Sequence, residues 1–216
     1  MQSLLAAVQV PAVSHAQFGQ SPEVLNKIND AETNLCVWQR PSVRQVSAEV
    51  ANVVEPDLDL RARTTARMFK RDVQELLNTA GLNADEYAHW VDDLGQLADV
   101  FFTHAHRKEA MVRIETTIDD GCRRYHVDRS HLRLLSTYRG PGTEWLTNEQ
   151  VDRHNLRSGA PNEDIVRYGQ PYRMAPFWVG LFKGSLYPNM ADSGLVHRSP
   201  PIDGTGQFRV RFCLDC

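Results

Sequence analysis

The pattern of apolar and polar positions changes character about half-way along the chain. Before residue 110, apolar residues recur three and four apart, as in helices that lay one face on a core. Ser21-Pro22-Glu23 pairs a capping residue with proline at the first helical position and predicts a short helix to about Asp30. Leu35–Trp38, closed by Pro41, predicts a strand. A second short helix is expected over 43–54, before a break at Glu55-Pro56-Asp57. Over 64–80, Met68, Val73, Leu76 and Leu77 share a face, and Gly81 supplies a helix stop. Asn83, with Glu86 three residues on, opens a longer helix to about His106. Its apolar face is Tyr87, Trp90, Val91, Leu94, Leu97, Ala98, Phe101 and Phe102. Met1 to Gln20 has no strong periodicity and predicts a loose arm.

From Met111 the spacing becomes alternation. Val112, Ile114, Thr116 and Ile118 alternate with Arg113 and Glu115, and Asp119-Asp120-Gly121 reads as a hairpin turn. The turn leads into a strand carrying Tyr125-His126-Val127-Asp128. Further strands are predicted at 132–138, 165–168, 177–183, 194–198 and 208–214, with a turn at Gly140-Pro141-Gly142 and a short helix capped by Thr147. Several short strands separated by turns predict a sandwich or barrel. The expected fold is α+β: a mainly helical N-terminal layer, 1–110, on an all-β core, 111–216, the two forming one compact unit.

Composition alters this little. Apolar content of 42%, charged content of 24% and a net charge of −3 are ordinary for a globular chain and give no reason to expect nucleic acid or an anionic membrane as partner. No apolar run reaches the roughly 18 residues of a membrane span. Leu4 to Val8 lacks a basic flank, so export is not expected. Four cysteines make no disulfide framework, and the cytoplasm is the expected compartment.

Candidate chemistry centres on the 125–128 strand. Alternation puts His126 and Asp128 on the same side of it. A second imidazole, His197, arriving from a neighbouring strand would complete one face of an octahedral metal site. Two histidines and one carboxylate suit Fe(II) because three positions stay open. His-x-Asp alone is a weak signal, since a surface strand with two outward polar residues has the same pattern. In the last strand, Arg209 and Arg211 stand opposite the apolar Phe208, Val210, Phe212 and Leu214, and either guanidinium suits a carboxylate. Other candidates are poorer. Cys213 and Cys216 form a CxxC without a second pair of ligands. His104, His106 and Glu109 sit at a helix end that favours histidine anyway. Gly140-Pro141-Gly142-Thr143 lacks the Gly-Lys-Ser/Thr ending of a phosphate loop, and no Gly-x-Ser-x-Gly elbow occurs.

The order His126-x-Asp128, Gly140-Pro141-Gly142-Thr143-Glu144-Trp145, His197, Arg209 resembles the double-stranded β-helix of Fe(II)/2-oxoglutarate-dependent oxygenases, over about 111–216. The resemblance implies a jelly-roll or cupin-like core, with Fe(II) held by His126, Asp128 and His197. It also implies 2-oxoglutarate as small-molecule co-substrate, its distal carboxylate paired with Arg209 or Arg211. Thr143 corresponds to a co-substrate-touching threonine of the taurine-dioxygenase branch, although it lies closer to His126 than that branch implies. Tyr138 and Ser136 are the candidates for orienting the imidazoles. Over a longer stretch, 131–143 and Val196-His197-Arg198-Ser199-Pro200-Pro201 resemble a bacterial domain-of-unknown-function family associated with zinc-limitation gene neighbourhoods. That second resemblance implies the alternative of a Zn(II)-binding accessory protein on the same barrel.

Overall fold

The computed structural model describes residues 12–190 and 192–216. The first eleven residues of the expected arm lie outside the described residues. Among the described residues, ten strands form two sheets, the larger of them covered by helices. The strands are β1 (Ala16–Gly19), β2 (Leu35–Trp38), β3 (Asp59–Thr64), β4 (Ala110–Thr117) and β5 (Leu132–Arg139). They continue with β6 (Glu144–Leu146), β7 (Tyr172–Arg173), β8 (Val179–Lys183), β9 (Val196–Arg198) and β10 (Arg209–Asp215). The helices are α1 (Arg44–Ala51), α2 (Phe69–Thr79), α3 (Ala88–Ala105), α4 (Arg153–Ser158) and α5 (Asn162–Ile165).

The major sheet has the order β1-β2-β8-β5-β10-β4-β3, and the minor sheet β7-β6-β9. His126 and His197 exchange backbone hydrogen bonds of 3.1 and 3.0 Å, which adds the 125–128 segment to the free side of β9. With the 125–128 segment counted in the minor sheet, the chain from β4 onward changes sheet at each step except β6 to β7. Neighbouring strands from β4 to β10 are antiparallel. This is the winding of a double-stranded β-helix.

Three apolar clusters hold the layers. The outer face of the major sheet (Val112, Ile114, Leu134, Val210, Phe212, Leu214) packs against Trp90, Leu94, Leu97 and Phe101 of α3 and Phe69, Val73 and Leu77 of α2. Each such side chain, fully buried, contributes roughly 1.5–3 kcal/mol. Between the sheets lie Leu135, Trp145, Phe182, Leu195 and Cys213. Outside the minor sheet, Tyr125, Leu146, Val151, Ile165 and Val196 close against α4 and α5.

The α3 periodicity holds. Its predicted apolar positions 90, 91, 94, 97, 98 and 101 are all buried, and Asn83 accepts from the Asp85 N–H at 3.3 Å as the cap of the preceding 3₁₀ turn. Four expectations change. Residues 16–19 of the expected arm form β1, paired in parallel with β2. Asp59–Thr64, which lies between the break at 55–57 and the helix expected from Thr64 and to which the sequence pattern assigns no strand, forms edge strand β3 on β4. Residues 162–165 are helix α5, not the start of a strand, and only Val166 bridges, to Val151. Asp119-Asp120-Gly121 is not a hairpin turn, because β4 pairs with β3 and β10 and the next segment belongs to the other sheet. Asp120 instead accepts from the N–H groups of Ile202 and Asp203 at 2.7 and 2.8 Å, tying the crossing to the loop after β9.

Candidate metal centre

The winding brings His126, Asp128 and His197 to one place, with a possible ligand atom of each within 4.8 Å of the others. Among the described residues this is the only such group of three. His197 is on β9 and points between the sheets beside Phe182, their ring centroids 5.0 Å apart. His126 lies across the bridge, its ring 4.5 Å from that of His197. The 125–128 segment is extended, but only the bridge at His126 is regular sheet.

Each imidazole is held from behind by a main-chain carbonyl. His126 Nδ1 is 2.8 Å from the Arg124 carbonyl oxygen, and His197 Nδ1 is 3.3 Å from that of Leu195. These contacts assign the proton to Nδ1 in both rings and leave the Nε2 lone pairs facing inward. There they meet Asp128, with His126 Nε2 3.6 Å from Oδ1 and His197 Nε2 3.4 Å from Oδ2. Asp128 Oδ2 is buried and accepts no hydrogen bond. Three acceptor atoms thus point at one another without a donor among them, an arrangement that is costly unless a cation lies between. The donor set therefore fits a divalent metal.

Arg133 secures the carboxylate. It projects from β5 toward the gap between the sheets, with Nη1 2.6 Å from Asp128 Oδ1, while Nε and Nη2 bind Asp215 on β10. Burial would raise the Asp128 pKa, but His197, His126 and Arg133 outweigh it and hold the carboxyl well below the usual range. Burial pushes the His197 imidazole down to about 3, against the pull of Asp128. An ionised carboxylate and a neutral imidazole are the protonation states a metal requires, so binding need not displace a proton from either.

Arg209 and Arg211 stand toward the other end of β10. Arg211 is paired with Glu115 of β4. Arg209 is almost fully buried, donates from Nε to the Pro141 carbonyl at 2.8 Å, and has no partner for Nη2. Burial, reinforced by Arg211, brings its pKa down to about 9. The Gly140-Pro141-Gly142 turn makes room for it. Gly140 has φ +79°, and a Cβ there would meet the Phe208 carbonyl oxygen at 2.5 Å. The Thr143 and Thr137 hydroxyls are likewise buried without partners. Arg209 and Arg211 line a cavity of ≈ 310 Å³ together with Gly121, Cys122 and Ser199, and His126, Asp128 and His197 do not line it.

One sequence expectation is corrected here. Tyr138 and Ser136 do not orient the imidazoles. β5 turns both toward the helical layer, where Tyr138 donates to Asp93 at 2.5 Å beside the Arg40–Asp93 ion pair of 2.6 Å. Cys213 lies between the sheets, whereas Cys216 packs in the helix-side cluster, so the two thiols form no common site. Sequence reasoning missed Arg133 and Glu115. The available signal was a charged residue inside an alternating strand, as in Leu132-Arg133-Leu134-Leu135.

A family model described as "Protein of unknown function (DUF1826)" matches residues 19–215. The chain belongs to the DUF1826 family. No curated protein matches this DUF1826 chain in sequence. Among solved structures it is similar to the dioxygenase for auxin oxidation 1 from Arabidopsis thaliana in complex with 2-oxoglutarate. That match has a TM-score of 0.51 at 12% identity and covers 93% of this chain and 91% of that one. The rice dioxygenase for auxin oxidation matches with a TM-score of 0.48 at 14% identity, covering 93% and 81%. At such identities the likeness is one of fold, the double-stranded β-helix of 2-oxoglutarate oxygenases. Among the described residues no helix is long and apolar enough to cross a membrane.

Proposed function

We propose that the chain is a metal-dependent oxygenase of the Fe(II)/2-oxoglutarate type, acting on a substrate still to be identified. The observation that carries the reading is the convergence of two Nε2 lone pairs and the unpartnered Asp128 Oδ2 inside a double-stranded β-helix. In this reading, His126 Nε2, His197 Nε2 and Asp128 Oδ2 hold Fe(II). The Arg124 and Leu195 carbonyls fix the rings, and Arg133 fixes the carboxylate. When bound, Fe(II) with 2-oxoglutarate supplies O₂ activation for hydroxylating a substrate C–H bond. Arg209 is the preferred partner for the co-substrate's distal carboxylate, because Arg211 is already paired with Glu115 and Arg209 Nη2 is not paired. Thr143, with an unpartnered buried hydroxyl, is assigned beside it. The 2-oxoglutarate complex of the similarly folded Arabidopsis enzyme supports the choice of co-substrate. For compartment the proposal is the cytoplasm, where the four free cysteines and an Fe(II) site are both favoured.

One observation favours a second reading, a Zn(II)-binding accessory protein without turnover. The triad does not line the Arg209 cavity, and Leu135, Trp145, Phe182 and Cys213 pack between the sheets. Anaerobic titration with Fe(II) and 2-oxoglutarate separates the two. The oxygenase reading expects the weak visible charge-transfer band of the chelate, lost in His126→Ala and weakened in Arg209→Ala. Tight Zn(II) binding with no band would refute it in favour of the accessory reading.

A further inference from the structure

A second cavity, of ≈ 280 Å³, reaches the triad at His126 and shares no lining residue with the Arg209 cavity. His126 forms part of its wall and is the triad member with an exposed edge, its side chain 31% accessible against 3% for His197 and 8% for Asp128. Tyr125, Val127 and Leu156 supply an apolar lining, and Arg153 and Arg157 supply two guanidinium groups. The volume is at the lower end for small-molecule sites.

The two arginines differ. Arg157 is exposed and paired with Asp192 at 3.2 Å. Arg153 is half-buried and anchored from behind, with Nη1 donating to the Gly194 carbonyl at 2.9 Å and Nη2 to Asn148 Oδ1 at 2.8 Å. Both of its acceptors are neutral, and no described carboxylate lies within ion-pair distance of it. Burial lowers its pKa against the pull of Asp192, and the nearby Arg157 adds to the lowering. Asp192 lies beyond ion-pair distance of Arg153 and is already paired with Arg157, so a cation that has lost water gains no contact counter-ion, and an anionic ligand offsets that cost. The anchoring also holds the fork in place, so a ligand need not order it.

We infer that this cavity is the substrate site, and that it takes a small molecule with an apolar body and one anionic oxygen head, a carboxylate or a phosphate. The head sits against Arg153, with Arg157 as the outer cation. The body lies along Tyr125, Val127 and Leu156, which places it against His126. Calling the ligand a substrate rests on the oxygenase reading; the pocket and its charge preference do not.

The test is therefore made twice, with and without metal, and without turnover. In EDTA, the full chain is titrated with 3-phenylpropionate, 3-phenylpropyl phosphate and the neutral 3-phenylpropionamide, followed by ligand-observed NMR. The acid or the phosphate is expected to bind at least tenfold more tightly than the amide, and their ratio tells which head is preferred. Arg153→Met should abolish that preference. Asp192→Asn, an exposed change that removes the competing carboxylate, should tighten binding of the anion several-fold. Leu156→Trp should block all three probes by filling the cavity. Equal binding of acid and amide, or unchanged binding in Leu156→Trp, overturns the pocket assignment even if Arg153→Met fails to fold. In the second arm, Mn(II) at the triad should broaden the bound probe's proton signals, an effect that falls steeply with distance. Binding without broadening in Mn(II)-loaded protein overturns the substrate role. Failure to take up Mn(II) counts against the oxygenase reading instead, and with it against the word substrate.

Discussion

Replacing Arg133 by Met tests whether the Asp128–Arg133–Asp215 bridge is a coupled unit. The three side chains are 8%, 16% and 18% accessible, so the bridge is largely but not wholly withdrawn from water. Methionine leaves two carboxylates without their cation, one of them Asp128, whose other oxygen already lacks a hydrogen bond. Removing one member of a buried pair costs about 3–5 kcal/mol. Because Asp215 keeps some contact with water, the lower end applies, about 3 kcal/mol. For a chain of this length that corresponds to a fall in Tm of roughly 6–12 °C. Urea unfolding in EDTA, followed by tryptophan fluorescence, measures it, since Trp145 lies between the two sheets. Asp215→Asn in the Arg133→Met background should recover at least about 1 kcal/mol, because one of the stranded charges is gone. A loss below about 1 kcal/mol for Arg133→Met, or strict additivity in the double variant, would show that the bridge does not hold Asp128.

Two further perturbations probe other parts of the same reasoning. Asp93→Ala strands Arg40, 6% accessible, and removes the acceptor of the Tyr138 hydroxyl; it should cost about 3–5 kcal/mol in urea unfolding while metal stoichiometry by atomic absorption stays at the wild-type value, because this network faces the helices. For pH, the folded pKa of His197, about 3, lies below the ordinary value of 6.5, so the unfolded chain takes up that proton first. Its contribution to stability is complete above pH 6.5 and is lost as pH falls toward 3, by at most about 1.4 kcal/mol per unit. Metal-free unfolding at pH 7.5, 6 and 5 should show that decline, and His197→Asn should flatten it; an equal slope in the variant would contradict the assignment.

Legibility differed with the range of the interactions involved. Helix α3 could be read because a helix closes its own hydrogen bonds and its buried face is written at a local period. Strands β1 and β3 could not. β3, Asp59-Leu60-Arg61-Ala62-Arg63-Thr64, is a charged edge strand whose pairing comes from β4, some fifty residues later. Strand β5 was found, but not the direction of its side chains. Both of its faces are covered, so no simple inward-apolar, outward-polar contrast marks them, and Ser136 and Tyr138 were assigned to the wrong side.

The chain by itself determined the residue types and order of the candidate centre: His126 and Asp128 two apart, then His197, then an arginine on the last strand. It also determined the α+β class and the longest helix, but not a division at residue 110, since β1, β2 and β3 precede it and α4 and α5 follow it. Only the tertiary structure decided that the bridge at His126 brings two imidazoles side by side, their rings tilted at 51°, and that main-chain carbonyls hold them there. It likewise decided that Arg133 takes one oxygen of Asp128, and that Glu115 occupies Arg211 but not Arg209. Those facts depend on which strands meet across the barrel, and sheet pairing between distant segments is set by the packing of the whole chain rather than by any window of it.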